Sequence, residues 1–133
     1  MPDTARCQSI LIVEDDPDIR STLQEILSIE GYSASVASNG RDAVSLLKEM
    51  RRPCLILLDL MMPVMNGWEV LKELQEDVFL ATIPVVVISA ASNGKSRPAG
   101  AVGYIKKPVD LDSLLRIIKK HCGSPIGKAA SGT

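Results

Sequence analysis

Two pieces of this 133-residue chain carry side chains that attract attention as chemistry. One is an acidic triplet, Glu14-Asp15-Asp16. The other is a lone acid, Asp59, which closes the apolar run CLILL and opens the turn LMMPVMNG. Further along stand a hydroxyl, Ser89, and a lysine pair, Lys106-Lys107, followed by Pro108. Brought together, carboxylates repel one another and their pKa values rise unless a cation joins them. A hard divalent ion with oxygen ligands relieves that repulsion, and Mg²⁺ commonly takes one or two carboxylates and keeps several waters. A lysine and a hydroxyl beside such an ion would suit an anionic group. This chemistry exists only if the fold brings these residues to one place.

The elements that must do so follow from hydrophobic pattern. SILIV, Ser9–Val13, reads as a buried strand, and SASVA, Ser33–Ala37, as a second. Residues 54–58, 84–89 and 102–105 supply three more. Between them run helical stripes: Ile19, Leu23, Ile26 and Leu27; then Ala43, Leu46, Leu47 and Met50; then Val70, Leu71 and Leu74; last Leu111, Leu114, Leu115 and Ile118. Asp16-Pro17 is a helix start, with an N-cap carboxylate and proline at the first helical position, and Gly31 ends that helix. Asn66 with Glu69 has capping-box spacing, and Asp110 caps the last helix.

Apolar strands alternating with helices imply a parallel sheet covered on both faces. Ligands then bind outside the carboxyl ends of the strands. Glu14, Asp15 and Asp16 follow the first strand, Asp59 the third, Ser89 the fourth, and Lys106-Lys107 the fifth, so they are expected at one sheet edge. Asp16 is read as capping, whereas Glu14 and Asp15 are read as functional. Asp59 has no inexpensive structural purpose at the end of a fully apolar strand. His121 suits the dipole of the last helical turn, and Trp68 is read as a packing or partner-contact residue.

Composition bounds the rest. The 15 basic and 16 acidic residues give a net charge of −1, which argues against a nucleic-acid surface or a membrane patch. No apolar stretch approaches a membrane span, and the opening MPDTARCQ lacks the apolar core of a signal peptide. Three cysteines, Cys7, Cys54 and Cys122, stand far apart without CxxC spacing. They are read as reduced, in a cytoplasmic setting, rather than as a disulfide framework or zinc site. The expected organisation is one domain over residues 7–122, with flexible tails at 1–6 and 123–133.

The chain resembles the receiver domain of two-component response regulators. The resemblance rests on LIVEDD at the first strand's end, LLDLMMPVMNG around Asp59, VVVISAA at the fourth strand and AGAVGYIKKP before the last helix. It spans about residues 8 to 121. It implies a flavodoxin-like, doubly wound α/β fold whose five-stranded parallel sheet has the order 2-1-3-4-5. It implies that Asp59 is the phosphoacceptor, taking a phosphoryl group from a histidine kinase, a phosphotransfer protein or a small phosphodonor. Asp15 and Asp59 would bind Mg²⁺ directly, Glu14 through water, and the backbone carbonyl of Met61 would complete the protein ligands. Lys107, expected to precede Pro108 through a cis peptide, would pair with phosphoryl oxygens. Ser89 would donate to one, and Tyr104 would be the rotameric switch. Beyond self-phosphorylation and self-dephosphorylation no enzymatic activity is implied.

The sequence also departs from the family pattern. The segment AASNGKSRPAGA, residues 90–101, is interrupted by two glycines and a proline. Family members carry a helix there, between the fourth and fifth strands. Here that fourth helix is expected to be shortened or missing, which bears on the output surface and on whether the chain is a monomer or a weak dimer. Met61 and Ala91 are apolar where the family varies, so neither would orient an attacking water, and a long-lived phosphoryl group is expected. A phosphorylation-independent binding module on the same fold is the alternative. A Mg²⁺-dependent phosphatase is the third reading. It is disfavoured because Met61 stands where such enzymes place a general acid. The downstream protein partner is not readable from the sequence.

Overall fold

The computed structural model describes residues 9–62, 64–90 and 100–122. Five strands form one parallel sheet: β1 (Ser9–Val13), β2 (Ser33–Ala37), β3 (Leu55–Asp59), β4 (Val85–Ser89) and β5 (Gly103–Lys106), in the order β2-β1-β3-β4-β5. Helices α1 (Pro17–Ile29), α2 (Gly40–Glu49), α3 (Gly67–Gln75) and α4 (Leu111–Cys122) alternate with them, and a short 3₁₀ turn, Leu80–Thr82, precedes β4. The expected sheet order is therefore observed. The expected shortening or loss of a fourth helix concerns residues 90–101, of which 91–99 lie outside the described residues, as do the tails at 1–6 and 123–133.

Strand alternation divides the core between the two faces of the sheet. Leu11, Val13, Ile56, Leu58, Val85 and Val87 face α2 and α3, where they meet Ala43, Leu47, Val70 and Leu74. Ile10, Ile12, Leu55, Leu57, Val86 and Ile88 face the other way, against Leu23, Leu27, Leu114 and Ile118 of α1 and α4. β3 and β4 are buried at every position, as the continuous apolar runs require of central parallel strands. β2 lies at the sheet edge and is only partly buried, which fits its small and polar composition, SASVA.

Local signals set the helix ends. The Asp16 carboxylate accepts from the amides of Asp18 and Ile19, so capping is what this acid does. Gly31 follows α1 with φ 97, in the left-handed region where glycine costs least. At α3 the Asn66 side chain accepts from the Glu69 amide while Glu69 accepts from the Asn66 amide, each at 2.9 Å, completing a reciprocal capping box. Asp110 accepts from the Ser113 amide and hydroxyl.

Two features correct the sequence reading. The third strand extends one residue further than the apolar run, so Asp59 is its last residue and pairs with Ile88 rather than following the strand. Cys54 and Cys122, read as reduced and far apart, are joined as a disulfide, with Cα atoms 5.7 Å apart. Helices return antiparallel to the strands they cover, so the last residue of α4 lands at the amino end of β3. A sequence separation of 68 hides that proximity.

Candidate functional site

The carboxyl ends of β1, β3, β4 and β5 converge as the topology demands. Glu14 follows β1 and is 2% exposed; Asp59 ends β3 at 3%, and Ser89 ends β4 at 0%. Asp15, directly after Glu14, is partly exposed. One carboxylate oxygen from each of Glu14, Asp15 and Asp59 lies within 4.8 Å of the others. Lys107, one residue beyond β5, brings its Nζ to 2.9 Å from Glu14 Oε1 and 3.4 Å from Asp59 Oδ2. Its bond to Pro108 is cis. Lys106 is exposed.

The chain holds these groups in place from several sides. The Met61 amide donates to Asp59 Oδ1 at 3.2 Å, and the Asp16 amide donates to Glu14 Oε2 at 3.1 Å. The Lys107 amide donates to the Ser89 carbonyl at 2.9 Å, tying the β4 tip to the lysine. Arg20, in the first turns of α1, donates from one guanidinium nitrogen to the carbonyls of Glu14 at 2.9 Å and Asp15 at 3.4 Å. Gly67 lets α3 start against the strand: a Cβ there would stand 2.7 Å from Leu60 Cα and 2.8 Å from the Asp59 carbonyl oxygen.

Electrostatics reflects the crowding. Burial is the main cause that lifts the Asp59 carboxyl from its ordinary 3.8 to about 6, and the Glu14 charge adds to it. The Lys107 charge and the Met61 amide oppose that rise. Burial works to lower the Lys107 pKa, but its contacts with Glu14 and Asp59 outweigh it, and the ammonium is held above its usual range. Three acids against one lysine leave the pocket short of positive charge. Oxygen-only donors on rigid strand ends suit a hard divalent cation, so the residues present fit Mg²⁺.

Two further expected positions have a clear setting. Tyr104 of β5 pairs with Val87 and is partly buried against the core on the α2–α3 face. Met61 is 61% exposed at the rim of the site; Ala91 lies outside the described residues. The sequence reading missed Arg20, whose role depends on where a long side chain reaches. It also missed the Lys107–Glu14 ion pair, having assigned the lysine to a phosphoryl group alone. An apolar groove lined by Ile19, Leu23, Ile26 and Val109 runs between α1 and the β5–α4 turn, with Lys107 at its margin.

Comparison with known proteins decides the family. Residues 10–119 match the response regulator receiver domain. The chain belongs to that family. It is 34% identical over 120 residues to the polar-differentiation response regulator DivK of Brucella anthropi, covering 87% of this chain and 97% of that protein. Two probable transcriptional regulators named ycf29 are longer, and the chain spans 56% and 54% of them. In structure it is similar to the receiver domain of a signal transduction histidine kinase from Syntrophus aciditrophicus, with TM-score 0.80 and 35% identity over 86% of this chain and 89% of that one. It is also similar to the response regulator TrrA of Thermotoga maritima, solved in complex with Mg²⁺-BeF, with TM-score 0.76 and 31% identity over 85% of this chain and 97% of that one. The receiver domain is a two-component signalling switch, and the doubly wound sheet seen here is its fold.

Proposed function

We propose that this receiver domain, residues 7–122, is a phosphoacceptor switch in which Asp59 takes the phosphoryl group. The observation that carries this reading is the meeting of Lys107 Nζ with both Glu14 and Asp59, beside a trio of acids whose oxygens lie within 4.8 Å. An Asp59 oxygen attacks phosphorus on a phosphohistidine or small acyl phosphate. The bond to the donor breaks, its electron pair leaves with the donor, and an aspartyl phosphate remains. Phosphoryl transfer needs positioning and charge neutralisation more than covalent assistance. Asp15 and Asp59, with the Met61 carbonyl and with Glu14 acting through water, would hold Mg²⁺, which would supply charge neutralisation for the acids and the phosphoryl oxygens.

This chain's own residues do the rest. The β3 strand and the Met61 amide fix the nucleophile. Lys107 shifts part of its contact from the carboxylates to phosphoryl oxygens, and the Ser89 hydroxyl donates to another. Because the Lys107 amide is bonded to the Ser89 carbonyl, movement at either tip reaches the other. Tyr104, two residue pairs back along β4–β5 from that junction, then turns inward, and the β4–β5 face changes shape. The phosphoryl group is long-lived, since exposed Met61 offers no polar atom from its side chain to orient an attacking water.

The donor is a sensor histidine kinase or a phosphotransfer protein. The output is a protein partner rather than nucleic acid, the setting is cytoplasmic, and the domain acts as a monomer or weak dimer. The experiment is intact mass after incubation with acetyl phosphate and Mg²⁺. Wild type gains one phosphoryl group and Asp59→Asn gains none. An equal gain in both overturns the assignment.

A further inference from the structure

The disulfide joining Cys54 and Cys122 sits at the end of the sheet opposite the acidic site. Cys54 immediately precedes β3, and Cys122 is the last residue of α4. Their Cα separation of 5.7 Å lies within the range a disulfide spans. The same place also suits the reduced chain. Cys54 Sγ lies 3.1 Å from the Ser9 carbonyl oxygen, so a thiol there has an acceptor waiting. Both sulfurs sit in an apolar setting with Ile10, Leu55 and Ile118, which a small thiol or a disulfide fills equally well. Cys122 is 9% exposed and Cys54 5%, so an outside reagent meets Cys122 first.

We infer that Cys54 and Cys122 are a reversible thiol–disulfide modification site that staples the end of the last helix to the start of the phosphoacceptor strand. A low-molecular-weight disulfide such as oxidised glutathione is the oxidant. The Cys122 thiolate attacks it, one thiol leaves, and a mixed disulfide forms on Cys122. The Cys54 thiolate attacks the Cys122 sulfur and expels the second thiol. Two protein thiols are oxidised and one small disulfide is reduced to two thiols. In the reduced form Cys54 donates to Ser9, and the last turn of α4, with Lys119, Lys120 and His121, has no covalent tie to β3. In the oxidised form it is tied across a separation of 68 residues, which restricts the unfolded chain more than the folded one.

The test equilibrates the full chain in graded ratios of reduced to oxidised glutathione, alkylates free thiols, and maps linked peptides by mass. A peptide joining Cys54 to Cys122 is expected, rising with oxidised glutathione and disappearing with excess reduced glutathione. The oxidised wild type is expected to melt about 10 °C above the reduced form. Cys7→Ser is expected to keep the link, whereas Cys54→Ser, which preserves a donor to Ser9, loses the link and the redox-dependent part of the melting temperature. Circular dichroism checks that each variant folds, and the wild-type difference stands without either. Links only through Cys7, or a Cys54–Cys122 link seen only in urea, overturn the site. A link in the folded chain that excess reduced glutathione never opens overturns its reversibility. None of these readings depends on phosphorylation.

Discussion

At Asp59 two demands conflict. The proposed nucleophile has to be ionised, yet burial and Glu14 hold its carboxyl at about 6, above the ordinary 3.8. A carboxyl raised in the folded state favours folding while protonated. That contribution is complete below 3.8 and is lost as pH rises through about 6. The metal-free protein is therefore expected to lose stability between these values, and Asp59→Asn is expected to flatten that slope and melt higher than wild type at pH 7. Melting curves in chelator across pH 3.5–7 read both effects, and an unchanged slope in Asp59→Asn would count against the cause given. Lys107 is also raised, so its contribution is present below its ordinary 10.5 and is lost as pH rises beyond it. Arg20 belongs to the same scale. It fixes the backbone of Glu14 and Asp15 without touching their carboxylates. Arg20→Gln is expected to weaken Mg²⁺ binding about tenfold in calorimetry, the loss of roughly one charged hydrogen bond, with little change in melting temperature of the metal-free protein. Arg20→Lys is expected to recover part of the affinity.

At the level of elements, the turn between β3 and α3 is constrained at two described positions, Val64 and Gly67. Val64 there has φ 70, a left-handed conformation that is unfavourable for a β-branched residue. Its side chain is 74% exposed, so little packing compensates. Val64→Gly is expected to stabilise the fold by about 0.5–1 kcal/mol in urea unfolding, the relief of the left-handed backbone less the entropy that glycine adds to the unfolded chain. Gly67→Ala works in the opposite direction. It forces a methyl against Leu60 and the Asp59 carbonyl, and about 1–3 kcal/mol of stability is expected to go with it. The two positions show what a sequence carries and what it hides. Strands β1 and β2 have the bounds their apolar and small-residue runs announce, and Asn66, Glu69 and Asp110 cap as their spacing requires. The gathering of Glu14, Asp15, Asp59 and Lys107 was legible because parallel topology sends every strand's carboxyl end to one edge. Val64 was not legible, since its conformation is imposed by the turn and not by its own preference. Arg20 and the cysteine pair were hidden for a related reason: their contacts depend on side-chain reach and on elements distant in sequence.

Across the whole molecule, ligand and fold share one free energy. Mg²⁺ at the proposed site would bind the folded acids and find no such cluster in the unfolded chain, so it is expected to raise the melting temperature, by an increment that grows with its concentration. The increment is expected to shrink as pH falls through about 6, where protons compete for the Asp59 carboxylate. A thermal shift titration at pH 7 and pH 4 checks this, and equal shifts at both would point to binding elsewhere. The sheet also keeps its two ends apart. β3 has Asp59 at one end and Cys54 just beyond the other, roughly 17 Å away at the usual rise per residue. Substitutions that far apart and without shared partners act independently. The free-energy changes of Asp59→Asn and Cys54→Ser are therefore expected to sum in the double variant, and the two inputs proposed above, an acyl phosphate and an oxidant, are expected to act separately, each leaving the dose–response to the other where it was.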